Sequence, residues 1–230
     1  MSFETFKLGV IMLNTNFPRV LGDIGNPETF DYPVIYKRVS SAKVSAVVSS
    51  DGISQSVKND IFSTISELEE EGADLIVTSC GFLGEIQKEL QSVSNIPVIT
   101  SSLLLIPFVR TLISDDDKIG VLTFDKASLK EKHFGGYFSN DIVINDIPKT
   151  GELYQVIKND HLVLDTEKAK SEVVAVALDL IHNNEKIKAI ILECTNLPPY
   201  IDAIREATGL PVFDITQAIA WFEKSKKIMK

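Results

Sequence analysis

The 230-residue sequence predicts an α/β fold of two pseudo-symmetric lobes, each a parallel sheet covered by helices. Three observations carry this expectation. Apolar, β-branched runs alternate with amphipathic stretches along the chain. The segments GADLIVTSCGFLGEIQKELQSVSNIPVIT and IKAIILECTNLPPYIDAIREATGLPVFDI overlay without a gap, the signature of an internal repeat. The only two cysteines, Cys80 and Cys194, fall at the same position of that overlay, each at the same interval ahead of a proline, Pro97 or Pro211.

In the first half the strand candidates are KLGVIML, AKVSAVV, ADLIVTS and IPVITS. SQSVKNDIFSTISELEEEG lies among them with helical apolar spacing and a stop at Gly72. The second half repeats the scheme with KIGVLTF, IVIND, KAIILE and LPVFDI, and TEKAKSEVVAVALDLIHNNEK supplies a long helix ended by Asn183-Asn184. Both halves open alike, Lys7-Leu8-Gly9-Val10-Ile11 matching Lys118-Ile119-Gly120-Val121-Leu122. The first lobe is placed at residues 1–106 and the second at 107–216. Glu69 to Glu71 read as a solvated helix face.

At 44% apolar residues the chain buries a substantial core without staples. MSFETFKLGVIML lacks a basic n-region and a cleavage site, so it reads as a first strand rather than a signal peptide. LLLIPFV is too short for a span of about 20 residues. A cytoplasmic protein is expected, in which two cysteines do not form a structural disulfide. The net charge of −9, with no basic stripe apart from the tail KSKKIMK, argues against nucleic acid and anionic membranes as partners.

Both cysteines sit at the carboxyl end of a strand with a helix expected to follow, where open α/β sheets bind ligands. The helix N-terminus lowers a thiol pKa and accepts a carboxylate. Thr195 and Asn196 place a hydroxyl and an amide beside Cys194, Pro198 and Pro199 suit a first helical turn, and Gly81 lets backbone approach a ligand. If the lobes face each other, the two sulfurs flank one cleft. A carbon held between them can lose a proton to one and gain one from the other, inverting a stereocentre. His133, His161 and His182 lack metal-ligand spacing and read as surface or helix-face residues. There is no C-x-x-C, no G-x-G-x-x-G, and GDIGNPETF lacks the ending of a P-loop.

VTSCGF and LECTNLPPY resemble the two catalytic-cysteine motifs of the cofactor-independent aspartate/glutamate racemase superfamily, which includes hydantoin racemases, maleate isomerases and arylmalonate decarboxylases. The resemblance covers nearly the whole chain. It implies an active site between the lobes, no pyridoxal phosphate or metal, Cys80 and Cys194 as acid/base pair, and Thr195 and Asn196 binding a substrate carboxylate or orienting the thiol. It also maps ligand-binding roles onto Asn14 and Thr15 after the first strand and Ser128 in the matching loop FDKAS, and a C-terminal helix, 217–230, packing back on the first lobe. The pattern departs from glutamate racemases at Asn14-Thr15, at Gly81-Phe82 and at Asn196. Retention of both cysteines argues against a decarboxylase.

Arg19, with Arg38 and Lys126 as rivals, is the candidate for binding a second substrate carboxylate. Phe17, Phe30, Tyr32 and Phe82 are candidates for the pocket wall. The expected activity is racemisation or epimerisation of an acidic amino acid, with a maleate isomerase-like or hydantoin racemase-like enzyme as the alternative. A non-catalytic two-lobe module binding a small carboxylate is the rival of another class. The sequence leaves open whether the chain is a monomer or a homo-oligomer.

Overall fold

A computed structural model describes residues 5–226. The first half runs β1 (Leu8–Leu13), β2 (Val34–Val39), α1 (Val44–Val47), α2 (Gln55–Glu70), β3 (Leu75–Thr78), α3 (Gln87–Val93), β4 (Val98–Ile99) and α4 (Ile106–Arg110). The second runs β5 (Lys118–Thr123), β6 (Ile142–Asp146), α5 (Glu152–Asn159), α6 (Thr166–His182), β7 (Ile187–Leu192), α7 (Ile201–Thr208), β8 (Val212–Phe213) and α8 (Ile215–Lys226). Each half forms one parallel four-stranded sheet, in the orders β2-β1-β3-β4 and β6-β5-β7-β8. The orders are the same once the halves are superposed, so the gapless overlay reflects a duplicated α/β unit.

Parallel strands covered on both faces are apolar without alternation. Every residue of β1 and β3 is accordingly buried. The long helices show why their sequences stop and start where they do. Ser54 accepts a hydrogen bond from the Val57 N–H at the start of α2, whose buried stripe is Val57, Ile61, Ile65 and Leu68. Gly72, at φ +80, takes the left-handed conformation that ends it. Asp165 caps α6 in the same way, and Val173, Ala177 and Leu180 face the second sheet's core.

One strand lies elsewhere than expected. AKVSAVV is not extended; its centre is the short helix α1, and the partner of β1 is VIYKRV, in register from Leu8 with Val34 to Leu13 with Val39. β2 is an edge strand, half-buried along most of its length, and carries Lys37 and Arg38. It therefore lacks the apolar run of an inner strand. Val44 and Val48 are apolar for another reason, since both line the inter-lobe cavity.

Each half hands its last helix to the other sheet. α4 packs on β5, with Ile106 and Val109 in one cluster with Ile119 and Val121. α8 returns to the first sheet, burying Ile215 and Ile219 against Leu8, Val10, Leu75 and Val77. Residues 1–4 of the expected opening segment and 227–230 of the expected terminal helix lie outside the described residues. Among the described residues, no helix is long and apolar enough to cross a membrane.

Candidate active site

The topology delivers both cysteine segments to one place. β3 ends at Thr78, whose hydroxyl donates to the Thr100 carbonyl at 2.6 Å, and Ser79 accepts from the Leu13 N–H at 2.9 Å. Cys80 follows in extended conformation and caps a 3-10 turn, Gly81–Ile86. In the second half β7 ends at Leu192, the Glu193 N–H continues the pairing to the Leu122 carbonyl at 2.8 Å, and Cys194 comes next. The Thr195 hydroxyl then donates across the lobes to the Ser79 carbonyl at 2.7 Å, in a fully buried bond.

Gly81 makes this approach possible. A Cβ at that position would lie 2.4 Å from Glu193 Oε1 and 2.5 Å from the Glu193 carbonyl oxygen. Both cysteines line a single narrow cavity of about 30 Å³, with Phe17, Phe82 and Phe124 among its walls.

Of the residues singled out from the sequence, Thr15, Arg19, Gly81, Phe82, Thr195 and Asn196 line this cavity with the two cysteines. Asn14 and Ser128 stand outside the lining. The Asn14 amide donates to the Ser40 carbonyl at 2.8 Å, and the Ser128 hydroxyl to Asp125 at 2.9 Å. Arg38 is exposed and pins the loop after β1 by donating to the Thr15 carbonyl and to Asn16. Lys126 is exposed as well, and Phe30 and Tyr32 border a separate surface groove.

Arg19 reaches the cavity with its guanidinium already engaged. It pairs with Asp23 at 3.2 Å, donates to Thr15 Oγ1 at 3.0 Å and lies 4.2 Å over the Phe17 ring. Asp23, 2% exposed, also accepts from the Asn196 amide at 2.6 Å and from the Gly25 N–H at 2.7 Å. Asn196 Oδ1 in turn accepts from the Cys194 thiol at 3.6 Å. A buried chain from Arg19 through Asp23 and Asn196 thus sets the direction of the Cys194 S–H.

Two site residues escaped the sequence reading, and each had a signal. Asp23 sits in GDIGNPETF, whose glycines signal a close backbone approach although it lacks the ending of a P-loop. Glu193 is an acid between an apolar strand and a cysteine, a position where burial is forced. It is 1% exposed; Oε2 accepts from the Thr123 hydroxyl at 2.6 Å, while Oε1 has no partner. Burial pushes its pKa from 4.5 up to about 7, against the pull of the Thr123 hydroxyl and the Phe124 N–H. Tyr200, next along, buries a hydroxyl without a partner near Asp23 and Cys194, and burial raises it to about 12.

The thiols correct a further expectation. Helix N-termini were to favour thiolate, yet burial drives both pKa values up, and the Glu193 carboxyl adds to the rise. The Phe82 N–H works for the Cys80 thiolate and the Asn196 N–H for that of Cys194, but desolvation outweighs them. His133 is corrected too. It is fully buried rather than on a surface, tilted against Phe82 at 4.8 Å between ring centroids, with Nδ1 accepting from the Lys130 N–H at 2.8 Å. It buttresses the cavity wall from behind. His161 and His182 are exposed.

The chain is similar to a dimethylsulfoniopropionate lyase of Durusdinium sp. clade D, 31% identical over 223 residues that cover 94% of this chain and 73% of that protein. Dimethylsulfoniopropionate lyase 3 of Emiliania huxleyi (strain CCMP1516) is 34% identical over 222 residues, covering 90% of this chain. This chain spans 56% of the Emiliania protein's length, little more than half. Among solved structures, allantoin racemase from Pseudomonas fluorescens has a TM-score of 0.64 over 96% of this chain and 90% of its own at 15% identity, a likeness of fold. The Asp/Glu/Hydantoin racemase family matches residues 32–222. That match takes in the whole second sheet, β2, β3 and β4 of the first and both cysteine segments, and by it the chain belongs to the Asp/Glu/hydantoin racemase family.

Proposed function

We propose that the protein is a lyase that takes a proton from the carbon beside a carboxylate and expels a β-sulfonium group, turning dimethylsulfoniopropionate into dimethyl sulfide and acrylate. The observation that carries this reading is the 31% identity, over 94% of the chain, to a protein of that name. The cavity supports it chemically, since two cysteines line a small, partly aromatic space.

Cys80 is the base. The Phe82 N–H and the Arg19 charge both favour its thiolate, whereas the Cys194 thiol is directed to Asn196. The raised pKa makes thiolate scarce but makes each thiolate a stronger base, which a weakly acidic C–H requires. The Cys80 thiolate takes the α-proton, and the C–H electron pair becomes the new C=C bond. The C–S bond breaks with its pair on sulfur, so the sulfonium leaves as neutral dimethyl sulfide and acrylate remains. N–H groups following the two cysteines stabilise the charge that builds on the carboxylate. Thr15, Arg19, Thr195 and Asn196 form the polar side of the substrate site; Gly81 and Phe82 form its wall.

A second reading is two-base racemisation of an acidic amino acid, favoured by the presence of the Cys194 thiol in the same cavity, where it can protonate the face opposite Cys80. Headspace gas chromatography separates the two. Dimethyl sulfide is expected from the native protein, with a loss of roughly 10²–10⁴-fold in Cys80→Ser. Absence of dimethyl sulfide, together with deuterium entering the Cα of aspartate or glutamate in D₂O, overturns the lyase reading in favour of the racemase.

A further inference from the structure

Glu193 is a buried acid whose charge no cation among the described residues pairs. Of the described residues lining the cavity only Arg19 is a cation, and its guanidinium is held by Asp23 at 3.2 Å. The groups that favour the Glu193 carboxylate are the neutral Thr123 hydroxyl and Phe124 N–H. Thr123 fixes Oε2, which leaves Oε1 oriented but unpartnered, in the space that a side chain at residue 81 would fill. Phe82 and Phe124 line the same cavity, and aromatic rings attract cations. A buried carboxylate without a partner is costly unless something brings the opposite charge.

We infer that Glu193 is the seat for the cationic end of the substrate, and that the site selects onium carboxylates, molecules with a sulfonium or ammonium centre set a few bonds from a carboxylate. The inference rests on the lyase reading and sharpens it. Glu193 takes the charged leaving group's end, and the donors beside Cys80 and Cys194 take the carboxylate. The α-carbon then lies between the two ends, beside the cysteines. Gly81 is needed on this account because any larger residue would displace the carboxyl from the cavity.

Binding tests this without turnover. Isothermal titration compares 3-(trimethylammonio)propionate with its carbon isostere 4,4-dimethylpentanoate, which keeps the carboxylate and has a neutral carbon in place of the ammonium nitrogen. The native protein is expected to bind the onium compound at least about tenfold more tightly. Glu193→Gln is expected to erase that preference while still binding the isostere, which also reports that the variant is folded; Glu193→Asp retains part of it. Equal affinities in the native protein, binding of neither compound, or a preference that survives Glu193→Gln overturns the inference. The lyase reading fails separately: onium preference without release of dimethyl sulfide removes the lyase and leaves the seat, and release without preference does the reverse.

Discussion

Glu193→Gln should make the protein more stable at alkaline pH, although it replaces a buried residue. In the folded chain the carboxyl holds its proton up to about pH 7, against an ordinary value of 4.5, because burial disfavours the charge. Between those values the folded state binds more protons than the unfolded state, so stability falls as pH rises through that window. One pKa step is worth about 1.4 kcal/mol, so the rise from 4.5 to about 7 corresponds to ~3 kcal/mol lost by pH 8. Glutamine has the same shape, can keep the Thr123 contact and does not titrate. Urea unfolding of both proteins, in steps from pH 4 to pH 8, reads the difference directly and cancels every other titrating group. The two curves should coincide near pH 4 and separate through the window, with Glu193→Gln more stable by ~3 kcal/mol at pH 8. A difference that stays flat across the range, or a native protein that is the more stable at pH 8, would refute an uncompensated buried carboxyl.

Removing the inter-lobe bond from Thr195 to Ser79 by Thr195→Val leaves a buried carbonyl unpaired, and equilibrium unfolding should show a loss of about 1–3 kcal/mol. Asp23→Ala strands the Arg19 guanidinium, whose side chain is 11% exposed, and should cost about 3–5 kcal/mol in the same assay; Asp23→Asn, which keeps one acceptor oxygen for Arg19, should cost less. Both thiols are raised, so iodoacetamide should modify Cys80 and Cys194 slowly at neutral pH, with rates, followed by mass spectrometry, that still climb above pH 9. Gly81→Ala must move the Glu193 carboxyl that lies 2.4 Å from the new Cβ, and should reduce dimethyl sulfide release and onium binding together.

Inner strands and long helices were legible because burial writes itself into composition. ADLIVTS and KAIILE have no alternation to hide, and Ser54 and Asp165 stand where caps must. The edge strand β2 was not, since one side of it meets solvent and Lys37 and Arg38 break the apolar run. Val44 and Val48 misled in the opposite sense, being apolar for a cavity rather than for a sheet. At the site, the repeat brought the cysteines together on paper because position within a duplicated unit is a property of the chain alone. The roles of Asp23 and Glu193 are properties of distance. Asp23 matters through its 2.6 Å contact with Asn196, 173 positions away, and Glu193 through the absence of a partner for Oε1. The neighbouring residues hint at burial in each case, but the contact itself cannot be read from them. The same holds for the thiols, where nearby N–H groups were readable but the desolvation that overrides them was not.

The exchange of last helices sets a timetable for synthesis. The first sheet is complete in sequence at Ile99, but the helix that buries Leu8, Val10, Leu75 and Val77 begins only at Ile215. At about 5–20 residues per second, a ribosome needs roughly 6–23 s to make the intervening chain. Throughout that interval one apolar face of a nearly finished sheet is open to water and to other nascent chains. Emergence of α8, rather than completion of the first sheet, is therefore the step at which that face can be covered, and holding chaperones have a defined surface to guard until then.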